Sequence, residues 1–162
     1  MQYEQNTPEY YMSLALKLAQ MAYDRGEVPV GALVVKDGRI MGTGFNQRET
    51  GKCATLHAEL TAIENACRAL HSWRLSDCEL YVTLEPCPMC AGAIINARLR
   101  RVYIGALDAK AGAVRSVASL FDMPFNHRPL VTCGVLEQEC GQILSDFFAD
   151  LRKKRGQKSE QG

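Results

Sequence analysis

At 162 residues the chain suits one domain (1–162) that buries about two-thirds of its unfolded surface. Hydrophobic content of 47% and charged content of 23% exclude a disordered or fibrous polypeptide, and no apolar run is long enough to span a membrane. The net charge of +1 gives no global case for nucleic acid. Thr7-Pro8 should open a helix, Thr as N-cap and Pro at N1, with Met12, Ala15, Leu16, Ala19, Ala22 and Tyr23 on its core face and Gly26 as its stop. Val30–Val35 is nearly all apolar, the pattern of a strand buried on both faces. Asp37-Gly38 predicts a tight turn, with Arg39–Asn46 returning antiparallel. A polar loop, Gln47–Leu56, leads to a helix from His57 to about Leu70. Strand Glu79–Leu84, a helix from about Cys87 to Ala97 and strand Arg101–Ala106 make a strand–helix–strand unit, hence a parallel pair. The chain is then irregular as far as Asn126-His127-Arg128, before a strand Leu130–Val135 and a helix from Glu137 to about Lys154. From Arg152 onward five basic residues face one acidic residue, leaving the body with 14 basic and 17 acidic. The expected architecture is a single α/β domain, helices on both faces of a five-stranded mixed sheet.

The chemistry concentrates between His57 and Cys90. His57-Ala58-Glu59 and Pro86-Cys87-Pro88-Met89-Cys90 supply one imidazole and two thiols, a suitable set for one Zn²⁺ per chain. Three protein ligands leave a fourth tetrahedral position for an activated water, and Glu59 adds a carboxylate that can move protons without binding the metal. Two blander arrangements use the same residues. Cys87 and Cys90 could be a redox dithiol, which leaves His57 and Glu59 without a role, and Cys53 could close a structural site with His57, Cys87 and Cys90. His57 and Cys87 both fall at helix starts, where free N–H groups favour anionic ligands and lower a thiol pKa. Seven cysteines, an odd number, point to a reducing cytoplasm, with Cys67, Cys78, Cys133 and Cys140 as small core residues. The first residues, Met1 to Gln5, carry neither a basic nor an apolar targeting region, so a cytoplasmic protein is expected.

H-x-E…P-C-x-x-C is the established signature of the zinc nucleobase deaminases, so the step from these residues to deamination is one of resemblance. The chain resembles the bacterial tRNA adenosine deaminases of the cytidine deaminase superfamily from about Glu9 to Arg155. Glu27–Ala32, Thr83–Cys87, Cys90–Ala93, Asp108-Ala109-Lys110, Asn126-His127-Arg128 and Leu144–Phe148 carry that likeness. It implies a three-layer α/β/α cytidine-deaminase-like fold and conversion of adenosine to inosine at the wobble position of a tRNA anticodon stem-loop, by a homodimer. His57, Cys87 and Cys90 would hold zinc, and Glu59 would shuttle protons. Asn46 would meet the flipped nucleoside, with Arg48, Asp108, Lys110, Phe147, Phe148 and Arg152 near the anticodon loop. Backbone groups around Ala58 and Pro86 would face the base edge. Simpler roles exist for several: Asn46 as a turn cap, Phe147 and Phe148 as core anchors, Arg48 and Lys110 as surface charges. The Pro-Cys-Pro-Met-Cys form, with Pro88, is similar also to purine-base deaminases such as guanine deaminase, so a free purine or nucleoside is the alternative substrate.

Overall fold

The computed structural model describes residues 2–162. Helix α1 spans Pro8–Asp24, and its N-cap Thr7 accepts the Tyr10 N–H at 3.2 Å. Strands β1 (Gly31–Lys36) and β2 (Arg39–Phe45) are joined by Asp37 and Gly38, both at positive φ, as a two-residue hairpin turn that follows the strand twist requires. Then come α2 (Ala58–Leu70), β3 (Glu79–Leu84), α3 (Pro88–Asn96) and β4 (Arg101–Ala106). A single 3-10 turn at Leu120–Asp122 interrupts the next segment, which leads to β5 (Leu130–Cys133) and α4 (Glu137–Glu160).

The sheet order is β2-β1-β3-β4-β5, antiparallel across β2-β1 and β1-β3 and parallel across β3-β4 and β4-β5. On β1 the side chains alternate between two cores. Ala32 and Val34 join α2 and α3 on one face, while Leu33 and Val35 join α1 and α4 on the other. Burial on both faces explains the unbroken apolar run, and each fully buried branched side chain contributes about 1.5–3 kcal/mol. The result is the expected three-layer α/β/α arrangement.

Several boundaries differ from expectation. Strand β5 ends at Cys133 rather than Val135, because Gly134 turns to φ +86° and Leu136 to +50° on the way into α4. Cys133 is therefore exposed at a strand end, not a core residue, and Cys67 is only half-buried; Cys78 and Cys140 are buried as expected. Helix α4 continues past Lys154 to Glu160, so all five basic residues from Arg152 onward lie on its exposed last turns. His57 and Cys87 sit just outside their helices as N-caps.

One contact sets where the site forms. Glycines at alternate β2 positions, Gly42 and Gly44, face Ala58, Ala62 and Ala66 on α2. A Cβ at Gly42 would lie 2.3 Å from the Ala62 carbonyl oxygen, and one at Gly44 2.3 Å from that of Ala58. Only glycine lets α2 lie directly on the sheet edge, and that approach fixes the height of the α2 N-terminus, where His57 begins.

Candidate active site

The α2 and α3 N-termini meet at one end of the sheet. The Nδ1 atom of His57 lies 3.6 Å from Sγ of both Cys87 and Cys90. A tetrahedral zinc with Zn–S near 2.3 Å and Zn–N near 2.0–2.1 Å has N···S edges of about 3.6 Å, so the donor set fits that metal through Nδ1. Among the described residues this trio is the one His/Cys/carboxylate group with all ligand atoms within 4.8 Å of one another. Cys53 is not part of it. That side chain is exposed, with Sγ 3.3 Å from Thr55 Oγ1, which removes the closed four-ligand site.

Both N-cap ligands forgo capping. Neither His57 nor Cys87 makes a side-chain cap bond, although capping is worth about 1 kcal/mol, so their side chains are left to the metal. A hydrogen bond from Cys90, with help from His57, holds the Cys87 thiol down to about 4. Donating that bond, together with burial, pushes Cys90 far up. A dication among the three would displace the shared proton. Pro88 occupies the N1 position of α3, where a missing N–H leaves no orphan, so its presence follows from helix initiation.

Glu59, in the first turn of α2, is 4% exposed and lies beside Cys90 without entering the ligand trio. Burial pushes its carboxyl up to about 7. It lines a cleft of about 190 Å³ with Val28, Val30, Asn46, Ala58 and Asp108.

The structure gathers the predicted residues unevenly. Asn46, Arg48, His57, Ala58, Glu59, Cys87 and Asp108 all line the cleft. The Asn46 amide also braces its own loop, donating to the Val28 carbonyl and accepting from the Arg48 N–H, which is the turn-capping role. Asp108 does the same for the Lys110 and Ala111 N–H groups. Pro86 is not among the lining residues, and its carbonyl accepts the Ala113 N–H at 2.9 Å. Lys110 and Arg152 are exposed and, like Pro86, are not among the residues lining the cleft. Phe147 is buried in the α1–α4 contact, edge-on to Tyr23, as a core anchor; Phe148 is the exposed member of that pair.

Residues 5–106 match the profile of the cytidine and deoxycytidylate deaminase zinc-binding region. The tRNA-specific adenosine deaminase of Bacillus subtilis is 49% identical over 148 residues, 91% of this chain and 92% of the relative. The chain belongs to the tRNA-specific adenosine deaminase branch of the zinc deaminase family. A solved structure from work on A-to-I editing by tRNA:A34 deaminases at the wobble position agrees with a TM-score of 0.81. It is 47% identical, covering 83% of this chain and 99% of that one. The guanine deaminase of Bacillus subtilis is more distant, at 36% identity and TM-score 0.59, covering 89% of this chain and 93% of that one. The zinc signature is common to the whole family, so it is the overall likeness that separates the deaminase branches.

Two buried carboxylates were not singled out by their sequence context. Glu27, fully buried, accepts the Glu49 and Thr50 N–H groups from the loop on one side of the cleft. Glu85 does so on the other side for residues 108–116. The available signal was an acidic residue embedded in an apolar, Pro-containing run: Glu27-Val28-Pro29 and Leu84-Glu85-Pro86.

Proposed function

We propose that this protein hydrolytically deaminates adenosine to inosine at the wobble position of a tRNA anticodon loop. The observation that carries the reading is a buried, non-ligating carboxylate, Glu59, beside a three-ligand zinc set at the floor of a cleft. His57 through Nδ1 and Cys87 and Cys90 through Sγ would hold zinc, which supplies the Lewis-acid chemistry that makes water a competent nucleophile near neutral pH. Glu59 then takes a proton from the attacking water and delivers it to adenine N1. It carries a second proton to the exocyclic nitrogen, which leaves as ammonia, so adenosine and water become inosine and ammonia. Val28, Val30 and Ala58 offer the base an apolar seat, and Asn46 and Asp108 stand at its polar edges. A base stacked in a duplex cannot reach this floor, so the target is an unpaired loop nucleotide splayed into the cleft.

Exposed Arg48 and Lys110 near the rim, with Phe148 and Arg152 on α4, are suited to the phosphates and bases of the surrounding loop. The whole chain would act as one deaminase domain and as a homodimer. Support for a second copy comes from α3, where Gly92 and Ala93 are only half-buried, and from exposed Val117, Met123 and Phe125 around the 3-10 turn packed on it. No described helix is long and apolar enough to cross a membrane, and seven unpaired cysteines support a reducing cytoplasmic setting. The test is inosine formation on an anticodon stem-loop measured beside free guanine, cytidine and adenosine. Turnover confined to the stem-loop is expected, and turnover of free guanine alone would overturn the assignment.

A further inference from the structure

Glu85 is 3% exposed and has no cationic partner among the described residues, yet its carboxylate is fully engaged. Oε1 accepts the Asp108 N–H at 3.1 Å and the Ser116 hydroxyl at 2.5 Å. Oε2 accepts the N–H groups of Val114, Arg115 and Ser116 at 3.1, 2.9 and 3.0 Å. A carboxyl group that accepts from five donors and donates to none is an internal anion. The segment closes around the carboxylate so tightly that a Cβ at Gly112 would lie 2.2 Å from Glu85 Cδ. Residues 107–119 contain no regular element; Ala113 and Val114 tie the segment to the core, and the Glu85 carboxylate takes up the N–H groups of Asp108, Val114, Arg115 and Ser116, fixing the course of the segment on either side of that contact. The anchor is placed two residues before Cys87, and the segment it gathers carries Asp108 and Ala111, which form one wall of the cleft.

We propose that Glu85 is a positioning residue, the anion around which the Asp108–Ser116 wall of the substrate cleft is folded and indexed to the metal end of β3. Glu85 borders the cleft at the foot of that wall but stands outside the ligand trio, and its carboxylate oxygens are taken up by the wall's own donors, so its action is on binding. If the wall opens, only the closed fraction takes substrate, and apparent affinity falls by that fraction. Once substrate is seated and the wall restored, proton transfer at Glu59 proceeds as before. The effect therefore belongs in KM rather than kcat.

Two variants grade the anchor. Ser116→Ala removes one donor, and amide hydrogen exchange over residues 108–116 should accelerate about 10-fold while KM stays unchanged. Glu85→Gln removes the charge from all five donors and sets an amide N–H₂ against them. Exchange at Asp108, Val114, Arg115 and Ser116, whose N–H groups the carboxylate holds, should accelerate well beyond the Ser116→Ala level, and KM for an anticodon stem-loop should rise about 10-fold or more. Zinc content and kcat should be retained. The kinetic arm rests on the deaminase reading, whereas the exchange arm does not. A wild-type protein inactive on the stem-loop would sink that reading and leave the anchor to be judged by exchange. Unchanged exchange in Ser116→Ala overturns the proposal even if Glu85→Gln does not fold. So does a Glu85→Gln protein whose kcat falls at constant KM, because that would place Glu85 in the chemistry itself.

Discussion

Replacing Gly44 by alanine tests whether the sheet edge sets the position of the metal-binding histidine. The added Cβ would lie 2.3 Å from the Ala58 carbonyl oxygen, 2.9 Å from the Ala62 nitrogen and 2.9 Å from Thr61 Cβ. Two of these are backbone atoms of α2, so no side-chain rotation can relieve the clash. Ordinary contact begins near 3.4 Å, so α2 has to withdraw by about 1 Å. Overpacking of this kind costs about 1–3 kcal/mol, and each kcal/mol lowers Tm by roughly 2–4 °C in a chain this size. His57 precedes Ala58 directly, so it moves with the helix while Cys87 and Cys90 stay with the β3–α3 corner. A displacement of that size in a catalytic constellation costs about 10²-fold in turnover. Calorimetry, zinc retention against a chelator and single-turnover inosine formation read the three consequences. Gly141→Ala, in the interior of α4 with nothing within 4 Å of the new methyl, is the matched control and should gain up to about 1 kcal/mol. A Gly44→Ala protein with wild-type Tm, zinc and turnover would refute the claim that this contact indexes the site.

Glu59→Gln should keep its zinc and fold while losing about 10²–10⁴-fold in kcat, the usual cost of removing a general acid–base, and near-normal deamination would end the proposed proton path. Cys53→Ala should retain both metal and activity, since that thiol is exposed and paired with Thr55; loss of zinc by atomic absorption would restore the four-ligand site. Sedimentation at micromolar concentration should give a species near twice 17.9 kDa, and a persistent monomer would remove the homodimer. Ending the chain before Arg152 removes the last turns of α4 and five basic residues. It should flatten the salt dependence of stem-loop binding by about 0.7 in log–log slope for each phosphate that is no longer neutralised. Equal slopes in a truncated protein that is still helical by circular dichroism would assign those residues to solubility alone.

The candidate metal ligands and the carboxylate beside them were legible without coordinates, because their information is local. A ligand set depends on residue type and spacing, and helix starts announce themselves through Thr7-Pro8 and through the change from period two to period 3.6. The layered fold was legible too, since β1 is apolar at every core position and the β3–α3–β4 unit permits only a parallel pair. Which ring nitrogen of His57 faces the thiols, the absence of Cys53 from the cluster and the burial of Phe147 beside exposed Phe148 were not legible. Each depends on a side chain's direction relative to an element distant in sequence. Glu27 and Glu85 show the limit most clearly. In the chain each is marked only by a following or flanking apolar, Pro-containing run, a signal that names no partner. Only the tertiary fold brings backbone N–H groups to each from a loop more than twenty residues away, making it the internal anion on which a wall of the cleft is built. Local sequence names the groups that do chemistry, whereas the groups that hold them in place are defined by donors the chain brings from elsewhere.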